Sequence, residues 1–174
     1  GFASAIDALM AVKTLVYEEK RVSLADLLTA LDANWAGYEK LRAYALRCPH
    51  KYGNGDVETD RYAQALATYL TNRINARPNT RGGYYKTAMH SARQYIDQGK
   101  KTGATPDGRR DGEELSKNSS AVMGMDKNGV TALAQSVASI APWQFTGDFG
   151  FDVMLHASAT AGEEGLKAMH SLLD

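Results

Sequence analysis

Along the first third of the chain, hydrophobic positions recur at helical spacing. Ile6, Leu9, Met10, Val16 and Tyr17 mark one stripe, with Asp7, Lys13, Glu18, Glu19 and Lys20 between or after them, a pattern that predicts an amphipathic helix. Ser23 precedes Leu24, and an acid follows three places on at Asp26. That is a variant of the capping box, and it predicts a second helix with Leu24, Leu27, Leu28 and Leu31 on one face. A third segment carries Trp35, Tyr38, Leu41 and Leu46. It is expected to end at Cys48-Pro49, because the residue before a proline is pushed out of the α region. After the glycine-punctuated loop Lys51–Asp56, Asp56 is the expected N-cap of a long helix carrying Tyr62, Leu66, Tyr69, Leu70 and Ile74, up to Arg77-Pro78.

Beyond Pro78 the pattern changes. Arg81-Gly82-Gly83 breaks the chain, and Tyr85, Thr87 and Met89 then alternate as in a strand, although Tyr84 to Tyr95 also fits a helical period. Residues 99–130 contain Gly103, Pro106, Gly108, Gly112, Gly124 and Gly129 with few large apolar groups, which predicts a long ordered loop or a linker. Val130 to Ile140 and Phe149 to Leu155 have the length of buried strands. Gly162 to Leu173 returns to helix, with Leu166, Met169 and Leu173 on one side. Periodic pattern reaches both ends of the chain, so an interior piece of a longer protein is expected.

Composition narrows the classes. The chain has 174 residues, 44% of them hydrophobic and 23% charged, which fits one domain of ordinary size and excludes a disordered or collagen-like chain. Lys+Arg and Asp+Glu both number 20, so no overall field steers the chain toward nucleic acid or an anionic membrane. Cys48 is the single cysteine; it has no internal disulfide partner, and a cytoplasmic, reducing setting is expected. No apolar run approaches ~20 residues, and the first residues do not read as a signal peptide.

Candidate chemistry is sparse. His50, His90, His156 and His170 show no metal-ligand spacing, and no metal is expected. Ser136 and Ser139 lack a Gly-x-Ser-x-Gly elbow. Cys48, beside a proline, reads as a structural thiol, and Trp35, Tyr62 and Tyr69 read as core. Asn118-Ser119-Ser120 matches a glycosylation sequon by chance. Thr105-Pro106-Asp107-Gly108-Arg109-Arg110 is a tight turn by its proline and glycine. Its arginines are either solvated or hold a carboxylate or phosphate, and in the second case sulfate is expected to raise the melting temperature.

Several of these segments together resemble a family. Gly103-Ala104-Thr105-Pro106-Asp107-Gly108-Arg109-Arg110, then Gly112-Glu113 and Leu115, is similar to the "GATPDGR..GE.L" stretch of pyruvate formate-lyase-like glycyl radical enzymes. Lys51-Tyr52-Gly53-Asn54 resembles that family's "KYGN" element, and Arg81-Gly82-Gly83 its "RGG". Gly124-Met125-Asp126, Gly129, Thr131-Ala132 and Ser136-Val137-Ala138 resemble "G.D..G.TA...SVA". Ala8 to Lys20 resembles the helix ending in "EEK". Gly55 departs from the pattern, which has Asp after "KYGN".

The resemblance implies an α/β fold: residues 1–174 as a mainly helical part of a ten-stranded α/β barrel, with strands near Tyr84–Ser91, Val130–Ile140 and Phe149–Leu155 and no glycyl radical domain. It implies a parent enzyme, a formate acetyltransferase-like enzyme or a radical dehydratase or lyase, acting on a small polar substrate in an anaerobic cytoplasm. The thiyl cysteine and the radical glycine of an "RVxGY"-like motif have no match here, so the piece itself is expected to be inactive. Its partners would be the remainder of the same chain, a radical S-adenosylmethionine activating enzyme that installs the radical, and a second copy in a homodimer. Gln135, Ser136 and Asp152 are the barrel positions expected to face substrate. The competing expectation is a helical, non-catalytic interaction module.

Overall fold

A computed structural model describes residues 1–173. The side chain of Leu173, expected on the face of the last helix, and all of Asp174 lie outside the described residues.

The first helix, α1 (Phe2–Val12), opens into a wider i→i+5 turn over Lys13–Glu18. Helix α2 (Leu24–Asp32) starts where Ser23 accepts a hydrogen bond from the Asp26 amide. Helix α3 (Glu39–Leu46) ends before Cys48-Pro49, and α4 (Val57–Asn75) is capped by Asp56. The Asp56 carboxylate accepts from both the Thr59 amide (2.7 Å) and the Thr59 hydroxyl (2.6 Å). Replacing Asp56 with alanine is expected to lower the unfolding free energy by about 1–2 kcal/mol, measured by denaturant titration.

The face that α4 buries differs from expectation. Tyr62 and Tyr69 are 38% and 60% exposed, whereas Thr59, Ala63, Ala67 and Thr71 form the buried stripe. Small residues at every fourth position let α4 approach α1 and α6 closely, so the bulky tyrosines are left outside. On α2, likewise, Leu27 is buried but Leu24 and Leu28 are exposed.

The strand expected at Val130–Ile140 is a helix, α6 (Gly129–Ser139). Leu133, Ser136 and Val137 are its buried positions and Ile140 is buried just past its end, at intervals of three and four that are a helical period. Tyr84–Ser91 and Phe149–Leu155 carry no helix, and no regular strand forms among the described residues. Isolated bridges pair Pro78 with Tyr84 and Met89 with Phe149, the second parallel. In the parallel pair the amides of Gly147, Met89 and Gly150 donate to the carbonyls of Thr87, Asp148 and Met89. A strand persists only where its edges find partners, and here the pairing is confined to these few residues. The helical alternative for Tyr84–Tyr95 also fails, since α5 covers Gln94–Gly99. Helix α7 (Gly162–Leu173) closes the order, with Leu166 and Met169 exposed.

Two clusters make the core. One joins Ile6 and Met10 of α1, the loop residue Tyr52, Ala63 and Ala67 of α4, Leu133 and Val137 of α6, and Ile140 just after it. The other packs Leu15, Leu27, Ala30, Trp35 and Ala45 together. Residues 100–128 contain no helix or strand, yet they run between these clusters as ordered structure, and the linker reading is thereby discarded.

Candidate functional site

Two of the motifs meet beneath α1. In the turn, the Gly108 amide donates to Thr105 O and the Thr105 amide to Arg109 O, while the Thr105 hydroxyl donates to Asp107 Oδ1 (2.5 Å). Pro106 sits where a fixed φ helps the turn. Gly108 has φ +97°, and a Cβ there would lie 2.7 Å from Leu46 Cγ, so both conformation and space demand glycine.

Three side chains from three places then hold three successive carbonyls. Lys51 Nζ donates to Asp107 O (3.3 Å), Arg42 Nε to Gly108 O (2.8 Å) and the Trp35 indole N–H to Arg109 O (3.1 Å). Arg109 points inward. Its guanidinium donates to the carbonyls of Thr102 (2.9 Å), Gly103 and Glu113 and to the Thr105 hydroxyl, and the residue is 7% exposed. The guanidinium ties the turn to both its flanks. Of the two arginines in the anion-site reading of Thr105–Arg110, Arg109 is thereby committed to the chain's own oxygens.

The Lys51–Asn54 loop is knitted as closely. Tyr52 is fully buried, its amide donating to Asp7 Oδ1 (2.8 Å). Gly53 has φ +94°, and a Cβ there would meet Ala121 at 2.7 Å. Asn54 donates to Met125 O and accepts from the amides of Lys127 and Asn128. The Gly55 amide donates to Ser136 Oγ (3.1 Å). Ser136 is therefore a buried hydroxyl on α6 that accepts a backbone amide, not a position on a barrel strand. Gln135, on the same helix, lies on its exposed side. Asp152 is held by Lys117 Nζ (2.8 Å) and by the Asn118 amide group, which draw its carboxyl below the ordinary carboxylate range. The Asn118 amide group, spent on Asp152 and Ser91, is no glycosylation acceptor. Arg81, Gly82 and Gly83 form a separate turn, where Asn79 Oδ1 accepts from the Arg81 and Gly83 amides. The Cys48 thiol is buried against Thr14 Oγ1 (3.7 Å).

What the pattern-based reading missed is Asp7. It lies on the same helical stripe as Ala3, Ile6 and Met10, and an acid in that stripe was the available signal. Its carboxyl lines a cavity of about 320 Å³ together with Lys51, Asp107, Arg109, Glu113 and Glu114. Burial pushes Asp7 up from the ordinary 3.8 to about 7, against the opposing attraction of Lys51 and the Tyr52 amide.

A raised folded-state pKa means that the folded protein binds the Asp7 proton more tightly than the unfolded chain. The stability associated with that proton is full below pH 4 and is lost as pH rises toward 7, a loss on the order of 4 kcal/mol. Asp7→Asn is expected to match the wild type near pH 4 and to exceed it increasingly up to pH 8 in denaturant titrations. Parallel pH curves for the two proteins would refute the shift.

Among the described residues, no three His, Cys, Asp or Glu side chains gather as metal ligands, and no helix is long and apolar enough to cross a membrane.

Comparison with known proteins places this geometry. The family model described as Pyruvate formate lyase-like matches residues 1–99. The trans-4-hydroxy-L-proline dehydratase of Clostridioides difficile is 33% identical over 99% of this chain, which spans 22% of the dehydratase. The isethionate sulfite-lyase of Desulfovibrio desulfuricans is 39% identical over 78% of this chain and 16% of the lyase. The crystal structure of a glycyl radical enzyme from Archaeoglobus fulgidus superposes with a TM-score of 0.91 at 30% identity, covering 99% of this chain and 22% of that one. The chain thus spans about a fifth of the length of the proteins it matches.

Proposed function

Since this chain belongs to the pyruvate formate lyase-like family of glycyl radical enzymes, we propose that the protein carrying it is a radical dehydratase or lyase acting on a small polar substrate. Residues 1–173 would supply outer helices and part of the barrel wall around that chemistry. The observation that carries the reading is the likeness to a glycyl radical enzyme over 99% of this chain. The names of the two relatives favour dehydration or carbon–sulfur cleavage over formate acetyltransferase chemistry.

On this reading the radical is seated outside these residues. Cys48 is buried against Thr14, and no glycine stands in an RVxGY-like setting. The reacting groups are therefore assigned to the rest of the protein, with a radical S-adenosylmethionine enzyme as activator. The part of these residues is to keep geometry and exclude solvent, since a carbon or sulfur radical survives only behind a closed wall. The clamp on the 105–109 turn and the parallel contact at Met89–Phe149 are the features suited to that role. The exposed Trp143 and Met154, each 79% accessible, suit packing against the remainder of the protein better than a free-standing interaction module.

The test is turnover by the full-length protein after anaerobic activation, with small hydroxylated and sulfonated substrates. Carbonyl product or sulfite, formed only after activation, is expected. An activated, radical-bearing protein that converts neither class would overturn the substrate assignment.

A further inference from the structure

Asp7 and Lys51 face each other at a distance too long for a direct hydrogen bond. Asp7 is fully buried, and while its Oδ1 accepts the Tyr52 amide, its Oδ2 has no hydrogen-bond partner. Lys51, only 5% exposed, has its Nζ 4.0 Å from that oxygen and 3.3 Å from Asp107 O. A bare buried carboxylate oxygen costs several kcal/mol, so such groups are nearly always satisfied by protein or by water. Arg109 lines the same cavity but is committed to carbonyls of its own loop. It does not turn toward Asp7.

The spacing indicates what completes the pair. A separation of 4.0 Å is too long for a direct bond, yet it suits one oxygen placed about 2.8 Å from each atom, with an angle near 90° at that oxygen. Where Asp7 is ionised, the bridging group must accept from an ammonium and donate to a carboxylate. A hydroxyl oxygen does both, whereas an anion is repelled by Asp7 and a cation by Lys51. The adjoining cavity, at about 320 Å³, has ample room for one such molecule and its neighbours.

We propose that Asp7 Oδ2 and Lys51 Nζ form a built site for an ordered water. That water joins α1, the Lys51–Asn54 loop and the 105–109 turn through one shared hydrogen-bonded centre. The three segments are otherwise far apart in sequence, so the water is a structural member of the fold rather than trapped solvent.

The test is a crystal structure of the full-length protein at a resolution that defines solvent, from crystals grown and frozen without polyols. Density for a single oxygen within hydrogen-bonding distance of both atoms is the expected result. Three results would overturn the proposal: Lys51 Nζ in direct contact with Asp7 Oδ2, a side chain from elsewhere in the protein filling the site, or a cavity without density beside Asp7.

Discussion

Replacing Arg109 with alanine is expected to lower the unfolding free energy by about 3–5 kcal/mol, read as a shift in the denaturation midpoint. The side chain holds three carbonyls and one hydroxyl that have left water, and removing it strands them. A lysine at this position is expected to recover little. Its ammonium is a compact point charge, whereas the oxygens of Thr102, Gly103 and Glu113 are spread to match a planar fork. A near-complete rescue by Arg109→Lys would show that charge, and not the fork, is what the turn requires.

Trp35→Ala is expected to cost about 3–5 kcal/mol, and Trp35→Phe appreciably less. The indole is fully buried with Leu15, Leu27, Ala30 and Ala45, so its removal leaves a cavity that neighbouring helices cannot fill. Phenylalanine restores most of the volume but not the N–H that donates to Arg109 O. Because Trp35 and Arg109 act on one turn, their effects are expected to be non-additive, and a double-mutant cycle measures the coupling. Strict additivity would mean that the indole contributes by packing alone.

Local signals in the sequence carried over where their physics is local. Ser23 with Asp26 and Asp56 with Thr59 are caps, complete within four residues, and both helices start where the side chains predict. The Pro106–Gly108 turn is equally self-contained. The run Val130–Ile140 is ambiguous because its eleven residues, all but Gln135 apolar or small, fit a buried strand or a buried helix alike. What decides the matter is distant: α6 packs on α4, Leu133, Val137 and Ile140 join the cluster of Tyr52, Ala63 and Ala67, and Ser136 accepts the Gly55 amide.

Size was also a poor guide to depth. Tyr62 and Tyr69 drew attention as core aromatics, while the residues that touch the core are Ala63 and Ala67. Close helix approach favours small side chains, and that preference is invisible until the neighbouring helix is known. Asp7 shows the same limit in a polar group. Its position on the apolar stripe was readable, but its partners Lys51, Tyr52 and Asp107 lie 44 to 100 positions away along the chain. The placing of Gln135 and Asp152 on barrel strands failed for a related reason. The assignment assumed strand alternation, and the segments carrying them are a helix and a stretch already hydrogen-bonded to Lys117, Asn118 and Ser120.

The turn and loop motifs thus act as fasteners between α1, α3 and the 100–128 segment. Most of their polar groups, the Arg109 guanidinium and the Asn54 amide above all, are spent on the chain's own backbone, which suits a structural part in the longer protein proposed above. The most direct measurement of that idea is an anaerobic electron paramagnetic resonance spectrum of the full-length protein after treatment with a radical S-adenosylmethionine activase. A doublet from a glycyl radical, split by its remaining α-hydrogen and persisting in Cys48→Ala, is the predicted result. No radical after activation, or a radical lost on removing Cys48, would contradict it.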